Sequence, residues 1–431
     1  MRTLTESAAS ASHPFSIVEG GGVTSARGFT AAGVHAGFRA NPNRLDLALV
    51  VADEPCPTAG VFTRNAFAAA PVRRSRRILD GAVEGESYGI ARAVVVNSGN
   101  ANAATGDAGM TAAEEAAHIV ADEIGCPADE VIVSSTGVIG VQLPMEPFRT
   151  GVPQVAKRLS RAGGEDAAHA IMTTDTVTKQ CAVRFSGDGI GYPGCTFTVG
   201  GMAKGSGMIM PDMATMIAVI TTDIPCKPRD LRAALKRAAD ASFNRVTVDS
   251  DTSTNDMCIL MASGAAALHG ADPCEPEDDA FAAFEEALSA VCTYLARQMA
   301  KDGEGATKLV DVCVGGAATE ADALAAARTV ANSPLVKTAI AGRDANWGRI
   351  AAALGRSGAA FGQEDVSISI MGIPVCEGGL ALAFDEDEAL ARFEDPEIRI
   401  QVDLGAGQAQ ATVWTCDLTH DYITINGDYR T

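Results

Sequence analysis

This 431-residue sequence lacks several features that define whole classes of protein. No apolar run approaches the roughly 18 residues that suggest a membrane span, and the longest candidate, Met213–Ile220, has only the length of a strand. Basic residues are few: 34 Lys and Arg stand against 54 Asp and Glu, and the net charge is −20. This balance argues against nucleic acid or an anionic membrane as a partner, although it permits a locally basic pocket for an anionic substrate.

Signatures of metal sites and of common catalytic triads are also missing. The eleven cysteines are scattered without a C-x-x-C pair or zinc spacing, and the six histidines are isolated. A lipase-type G-x-S-x-G is absent. An odd number of cysteines, and an N-terminal stretch without an apolar targeting segment, predict reduced thiols in a cytoplasmic protein.

Two glycine-rich runs invite comparison with nucleotide-binding loops. Gly200–Gly207 contains a lysine and a serine, but not in the order of G-x-x-x-x-G-K-[ST]. Gly187–Gly191 lacks the sixth-position glycine, and no helix signature follows it. Both departures count against a phosphate-binding loop. A nucleotide-binding protein nevertheless stays open as an alternative, and so does a purely structural interaction protein.

Strands and helices alternate along most of the chain, which indicates the α/β or α+β class. Apolar spacing and capping signals predict three strands and three helices before residue 303. The strands are Ala93–Asn97, Val131–Ser135 and Arg245–Val248; the helices run from the Thr111–Glu114 capping box to Gly125, through Leu231–Ala238, and from Phe281 to Gly303.

The pattern changes in the last third of the chain. After a helix at Asp344–Leu354, five segments have the character of strands: Val366–Ile370, Leu380–Phe384, Ile398–Leu404, Gln410–Thr415 and Tyr422–Ile425. We therefore expect a main layered domain, residues 1–305, and a smaller strand-rich domain, residues 306–431.

Thr215 stands between a glycine-loosened turn that ends in a proline and a strongly apolar run. If the Ala214–Thr215 bond is cut, the hydroxyl of Thr215 lies beside its own α-amine. Such an amine titrates near ~7.7–8.0 and can accept a proton at neutral pH, and this pairing is a known route to covalent catalysis. Taken alone, a β-branched residue at the start of a strand is the simpler interpretation.

Other polar positions also permit two interpretations. Thr136 and Gly137 stand where a predicted strand ends, and backbone N–H groups beside a threonine hydroxyl suit an oxyanion hole. An ordinary strand-to-turn glycine explains the same pattern. The polar segments Thr173–Thr176 and Asp302–Lys308 lie between apolar elements, where loops often carry function but many merely turn the chain.

Taken in order, a set of short motifs resembles the bifunctional arginine-biosynthesis acetyltransferase family, the glutamate N-acetyltransferase / ornithine acetyltransferase. Each motif is weak alone, but the ordered set is specific and covers nearly the whole chain. The motifs are Gly60–Asn65, Val96–Asn102, Ser135–Gly140, Met172–Thr176, Ala203–Met208, Met213–Met216, Asp249–Asp256, Asp302–Thr307, Asn346–Arg349 and Asn426–Thr431.

The resemblance implies a self-processing enzyme with an αββα-type layered sandwich, of the ornithine acetyltransferase / aminopeptidase kind, and a smaller C-terminal α+β domain. Cleavage between Ala214 and Thr215 would give an α chain, residues 1–214, and a β chain, residues 215–431, assembled as an α2β2 heterotetramer. Asp212 departs from the uncharged residue familiar beside this bond, so its carboxylate can alter the rate of cleavage. The closest rival is a related self-cleaving aminopeptidase-type hydrolase, which delivers acyl groups to water.

The implied activity is a ping-pong acetyl transfer from N²-acetylornithine to L-glutamate through an acetyl-Thr215 intermediate, giving ornithine and N-acetylglutamate. By motif match, the oxyanion hole is formed by Thr136 and Gly137. Substrate is bound by Thr173, Lys204, Thr215, Glu304, Asn426 and Thr431. No metal or bound cofactor is expected, and acetyl-CoA, which some members also use, stays a candidate co-substrate.

Overall fold

The computed structural model describes residues 2–80, 89–210, 216–268 and 271–428. Within these residues, the first part of the chain forms one nine-stranded sheet. Its strands are β1 (Phe15–Ile17), β2 (Phe29–Val34), β3 (Leu47–Phe62), β4 (Ile90–Asn100), β5 (Val131–Val138), β6 (Lys179–Ser186), β7 (Thr196–Lys204), β8 (Ile217–Thr222) and β9 (Met257–Ala262). Their order is β1-β6-β7-β8-β9-β3-β4-β5, and β2 pairs with β3.

Helices accompany this sheet on both sides. They are α1 (Arg2–Ser10), α2 (Ala70–Asp80), α3 (Gly106–Ile124), α4 (Glu146–Lys157), α5 (Gly164–Ile171), α6 (Pro228–Ala241) and α7 (Asp279–Lys301). The clearest of them is α7, whose residues Phe281, Phe284, Leu288, Val291 and Leu295 are buried at helical spacing. Among the described residues, no helix is long and apolar enough to cross a membrane.

The long strand β3 divides the sheet into two halves. Residues 47–51 of β3 pair with β2 and β4, whereas residues 58–62 pair with β9. The pairing register with β4 shifts between Val51 and Cys56. Because residues 58–62 pair with β9 instead, the two ends of this one strand belong to different half-sheets.

The two half-sheets pack against each other. Ile217 and Val219 of β8 share one apolar cluster with Val50 of β3 and Val94 of β4. Because successive side chains of a strand point to opposite faces, the residues at the alternate positions of these strands point to the outer faces of the two half-sheets. On one outer face they cluster with α6 and α7, and on the other with α3 and α4. The layers are thus helix, sheet, sheet, helix, and the predicted αββα arrangement is confirmed.

In the described part of the chain, a second sheet of six strands follows α7. Its strands are β10 (Leu309–Ala317), β11 (Ser367–Ile370), β12 (Ile373–Glu377), β13 (Leu380–Ala381), β14 (Glu397–Asp403) and β15 (Ala409–Cys416), in the order β13-β12-β11-β14-β10-β15. The helices of this part are α8 (Glu320–Ala331), α9 (Pro334–Ala341), α10 (Trp347–Gly355), α11 (Glu386–Arg392) and α12 (His420–Asp428). This sheet supports a C-terminal α+β unit, and the domain boundary at residues 305 and 306 stays a prediction.

Four predicted elements are wrong in type or extent. Tyr422–Ile425 lies in helix α12 and not in a strand. Arg245–Val248 is not a strand, because a short 3₁₀ helix ends at Arg245 and only Val246 forms a β-bridge. Helix α3 begins at Gly106, and the hydroxyl of Thr111 donates to the carbonyl of Asp107 inside it. The predicted strand Leu380–Phe384 is reduced to the two residues of β13.

Candidate active site

A cavity of about 150 Å³ lies where the ends of β5 and β7 meet the segments before β9 and after α7. Six of the eight predicted site residues line it: Thr136, Gly137, Thr173, Lys204, Glu304 and Asn426. The other two, Thr215 and Thr431, lie outside the described residues. A smaller cavity of about 20 Å³ shares Thr136 and Lys204 with the first and reaches Met216, the residue that follows Thr215.

The end of β5 has a backbone conformation that requires glycine. Asn100 of β4 pairs with both Thr136 and Val138, so the parallel ladder is irregular at this point. Gly137 has φ +133°, and a Cβ atom there would lie 2.3 Å from the carbonyl carbon of Gly99. The strand therefore ends in a fixed turn beside a buried threonine, which suits the stabilisation of an oxyanion.

Asn255 fastens the loop before β9 to this turn. Its Nδ2 donates to the carbonyl oxygens of Ala101 at 2.6 Å and of Ser135 at 2.7 Å, and its Oδ1 accepts from Thr254 Oγ1 at 2.6 Å. Asn255 lines the cavity and is buried. Sequence reasoning gave it no role, although it lies in the polar run Asp249–Asp256 that contributes to the family resemblance.

A buried ionic cluster supports the opposite wall. Lys179 Nζ donates to Asp175 Oδ1 at 2.7 Å and also to a carboxylate oxygen of Asp302. Asp175 accepts two backbone N–H bonds as well, from Gly205 at 2.7 Å and from Thr173 at 2.9 Å. One carboxylate therefore fixes the backbone at Thr173 and at the residue after β7.

The same cluster reaches the segment that carries Glu304. Asp302 accepts a hydrogen bond from the backbone N–H of Thr176 at 3.0 Å, and its carbonyl accepts one from Ser206 Oγ at 2.7 Å. The backbone N–H of Glu304 donates in turn to the carbonyl of Ser206 at 3.0 Å. Three cavity segments distant in sequence are thus tied to one pair of buried carboxylates.

Burial and nearby charges together shift the pKa of two groups in this wall. Burial alone would raise the pKa of Asp175, but the Lys179 and Lys204 ammonium groups hold it well below its ordinary value. Burial lowers the pKa of Lys204, and Asp175 opposes that shift. Among the described residues, Lys204 Nζ has no hydrogen-bond partner, so this ammonium is available to a ligand carboxylate in the cavity.

Glu304 and Asn426 meet across the cavity. Asn426 Nδ2 donates to Glu304 Oε2 at 2.7 Å and to the carbonyl of Tyr422 at 3.0 Å. Helix α12 is held in place by a bond from Tyr422 Oη to Asp249. A Cβ atom at Gly207 would lie 2.4 Å from the Glu304 carboxylate, so glycine leaves the room that this side chain occupies.

The glycine-rich run has a structural explanation. Gly200 lies inside strand β7, and a Cβ atom there would lie 2.2 Å from the carbonyl oxygen of Gly22. The residue therefore permits close backbone packing and does not open a helix as a phosphate loop does. In the part of the chain that the structure describes, no group of His, Cys, Asp and Glu side chains is placed to hold a metal ion.

Comparison with known proteins identifies the family. The ArgJ family model matches residues 30–431, which include every residue of the cavity. The chain belongs to the ArgJ family. The arginine biosynthesis bifunctional protein ArgJ of Symbiobacterium thermophilum is 49% identical over 412 residues, covering 95% of this chain and 99% of the relative. The protein of the same name from Thermosynechococcus vestitus is 46% identical over 427 residues, covering 95% and 98%.

One solved structure that is similar to this chain contains an amino acid. The ornithine acetyltransferase of Mycobacterium tuberculosis, complexed with ornithine, is 44% identical to this chain. The solved chain is covered completely and corresponds to 46% of this chain, with a TM-score of 0.42.

Proposed function

We propose that this protein is an acetyltransferase of arginine biosynthesis, which transfers an acetyl group from N²-acetylornithine to L-glutamate. Ornithine and N-acetylglutamate are the products. Family membership carries this proposal, because the curated relatives are named as arginine biosynthesis proteins and a solved member is named as an ornithine acetyltransferase. The cavity supports it: about 150 Å³ with one ammonium and one carboxylate suits a small, doubly charged amino acid.

The enzyme first cuts its own chain between Ala214 and Thr215. The α chain then comprises residues 1–214, the β chain begins with Thr215, and the two assemble as an α2β2 heterotetramer. Cleavage frees the α-amine of Thr215, which is the general base for its own hydroxyl. The position of Met216 beside the small cavity supports a nucleophile at this end of β8.

Acetyl transfer then takes two balanced steps. Thr215 Oγ attacks the acetyl carbonyl carbon of N²-acetylornithine while its proton passes to the α-amine. The C–N bond breaks, ornithine leaves with that proton, and the acetyl group stays as an ester of Thr215. The α-amine of glutamate then attacks the ester, and the Thr215 hydroxyl regains its proton as N-acetylglutamate forms.

The remaining site residues stabilise charge and bind the substrates. Thr136 and Gly137 donate to the oxyanion of each tetrahedral intermediate. Lys204 binds a substrate carboxylate and Glu304 binds the ammonium of acetylornithine. Thr173, Asn426 and Thr431 complete the binding site. Acetyl-CoA is a second acetyl donor in the cytoplasm, where we place the enzyme.

Mass measurement and product analysis test this function together. In the wild type, denaturing mass spectrometry is expected to find two chains that divide at Ala214–Thr215, whereas Thr215→Ala gives one folded, uncut and inactive chain. With acetylornithine and glutamate, acetyl transfer to glutamate should exceed acetyl release to water. Hydrolysis that dominates would identify the aminopeptidase-type alternative, and normal activity of Thr215→Ala would exclude Thr215 as the nucleophile.

A further inference from the structure

A separate cavity, of about 450 Å³, lies at the end of β3 between helices α2 and α6. Charged side chains from both helices and from the segment just after β3 line it. Four are cations and one is an acid: Arg64, Arg76, Arg232 and Lys236, with Asp80. Counted over the described residues, the lining carries a net charge of +3 (four minus one), in a chain whose net charge is −20. A positive pocket in an acidic protein concentrates anions at one place on its surface.

Three of these cations, Arg76, Arg232 and Lys236, have partners that an incoming anion can replace. Arg232 pairs with Asp80 at 3.1 Å, and Lys236 pairs with Asp240. Both basic side chains are more than half exposed, and exposed ion pairs stabilise a fold very little. Arg76 donates to the backbone carbonyl of Thr63, which carries no net charge. An incoming anion can therefore exchange with these contacts at little cost to the fold.

The number and kind of the cations indicate phosphate as the ligand chemistry. A single carboxylate needs one cationic partner, whereas four cations around one cavity suit a ligand with several negative charges. Three of the four are arginines, whose planar guanidinium groups bind phosphate oxygens in pairs. The volume lies within the range of about 300–1,000 Å³ that is typical of small-molecule sites.

We propose that this cavity binds a phosphate-bearing anion at Arg64, Arg76, Arg232 and Lys236. Two sources share that chemistry: the phosphoadenosine end of coenzyme A, and a free nucleotide or inorganic phosphate. The binding itself does not depend on the proposed acetyl transfer, because the cavity shares no lining residue with the catalytic cavity.

The phosphate site is connected to the catalytic cavity through one short segment. Arg76 holds the carbonyl of Thr63, and Thr63 Oγ1 donates to the carbonyl of Ser253 at 2.8 Å. Ser253 lines the catalytic cavity. An anion that draws Arg76 away from Thr63 thus acts on a residue that is one hydrogen bond from the catalytic wall.

Calorimetric titration of the mature enzyme tests the site. The probes are coenzyme A, dephospho-coenzyme A, ADP and inorganic phosphate, each at low and at high salt. The variant is the double substitution Arg232→Gln with Lys236→Gln, since both side chains are exposed and their loss should not disturb folding. Arg237→Gln is the matched control: it lies on α6 as well, but its side chain pairs with Glu285 and lies outside the cavity.

We expect coenzyme A or ADP to bind saturably, more weakly at high salt. The dissociation constant should rise about tenfold or more in the double variant, because charged hydrogen bonds are lost, and stay unchanged in Arg237→Gln. The absence of saturable binding by every probe would overturn the proposal. Equal affinities in the double variant and the control would overturn it as well.

Kinetics distinguish the two sources of phosphate. If coenzyme A is the ligand, the double variant has a raised KM for acetyl-CoA and an unchanged KM for acetylornithine. If a nucleotide or phosphate is the ligand, adding it to the wild type changes the rate of the acetylornithine reaction, and the double variant loses this response. Either result supports the site, and the binding data stand even if neither acetyl donor is used.

Discussion

The hydroxyl of Thr136 is the one side-chain donor in the proposed oxyanion hole, and its removal is a test at the scale of one residue. Thr136→Ala should lower kcat by about 10²–10³, because loss of one oxyanion donor has this size of effect. KM should change little, since the donor acts on the transition state. Thr136→Ser, which keeps the hydroxyl, is the control and should retain most of the activity. Equal rates for the Ala variant and the wild type would remove Thr136 from the mechanism.

The sequence predicts single residues unevenly. Thr136, Lys204 and Glu304 stand in short motifs that resemble a family, and the structure brings them to one cavity. Lys179 and Asn255 received no role, because a sequence does not show which polar side chains become buried together. Only the fold brings Lys179 between two carboxylates that are 4 and 123 positions away along the chain.

At the scale of elements, Lys179 joins the start of β6 to the segment after α7. Lys179→Met leaves the carboxylates of Asp175 and Asp302 buried without their cation, which should lower the free energy of unfolding by about 3–5 kcal/mol. Asp175 also holds the backbone of Thr173 and Gly205. The KM for acetylornithine should therefore be higher in Lys179→Met than in the wild type, even at temperatures where the variant is fully folded.

Chemical denaturation and steady-state kinetics measure the two effects of that substitution. The exposed Lys157→Met on α4 is the control and should be neutral in both. Lys179→Arg should recover part of the KM, since it restores the charge. A stability loss in Lys179→Met with an unchanged KM would mean that the buried cluster supports the fold without positioning the substrate site.

Helices and strands with a strong apolar periodicity can be predicted from the sequence, whereas those that depend on contacts with distant residues cannot. The apolar spacing of α6 and α7 predicts both helices within a few residues. Tyr422–Ile425 favours a strand by its β-branched and aromatic residues, yet it forms α12. The bond from Asn426 to Glu304, 122 positions away, and the bond from Tyr422 to Asp249 hold this segment in place. Such contacts override local propensity.

At the scale of the whole molecule, the raised pKa of Asp223 makes the free energy of unfolding depend on pH. Burial raises its pKa to about 6, and backbone N–H bonds from Arg27 and Thr198 offset only part of that shift. An unfolded aspartate titrates near ~3.9, so between about pH 4 and pH 6 the folded state binds the proton more tightly. Stability from this group is therefore present at low pH and is lost as pH rises to about 6, by roughly 3 kcal/mol in total.

Urea unfolding from about pH 4 to about pH 7 measures this contribution. The uncut Thr215→Ala chain is the background, so that unfolding involves one polypeptide. In this background, Asp223→Asn should remove only the part of the pH-dependent change in stability that Asp223 contributes, roughly 3 kcal/mol, so the gap between variant and background should change across the range. A gap between variant and background that is constant across the range would contradict the raised pKa.

The whole-molecule architecture was predictable in its layers but not in its connections. Resemblance and the alternation of strands and helices indicate the αββα arrangement. No local pattern shows that β3 serves both half-sheets, since its two ends pair with strands far apart in sequence, at residues 93–97 and 257–261. Strand pairings between residues so far apart in sequence form only when the whole hydrophobic core assembles, and the residues next to each strand do not determine them.

The central claim is that the acetyl group passes through Thr215, and trapping the acyl-enzyme tests it most directly. Wild-type enzyme is mixed with N²-acetylornithine in the absence of glutamate, quenched in acid and measured by peptide mass spectrometry, with Thr215→Ala treated in parallel. The account predicts one acetyl group on the peptide that begins at Thr215, lost on addition of glutamate as N-acetylglutamate appears. An unmodified Thr215 peptide during steady turnover, or an acetyl group that leaves equally fast without glutamate, would contradict it.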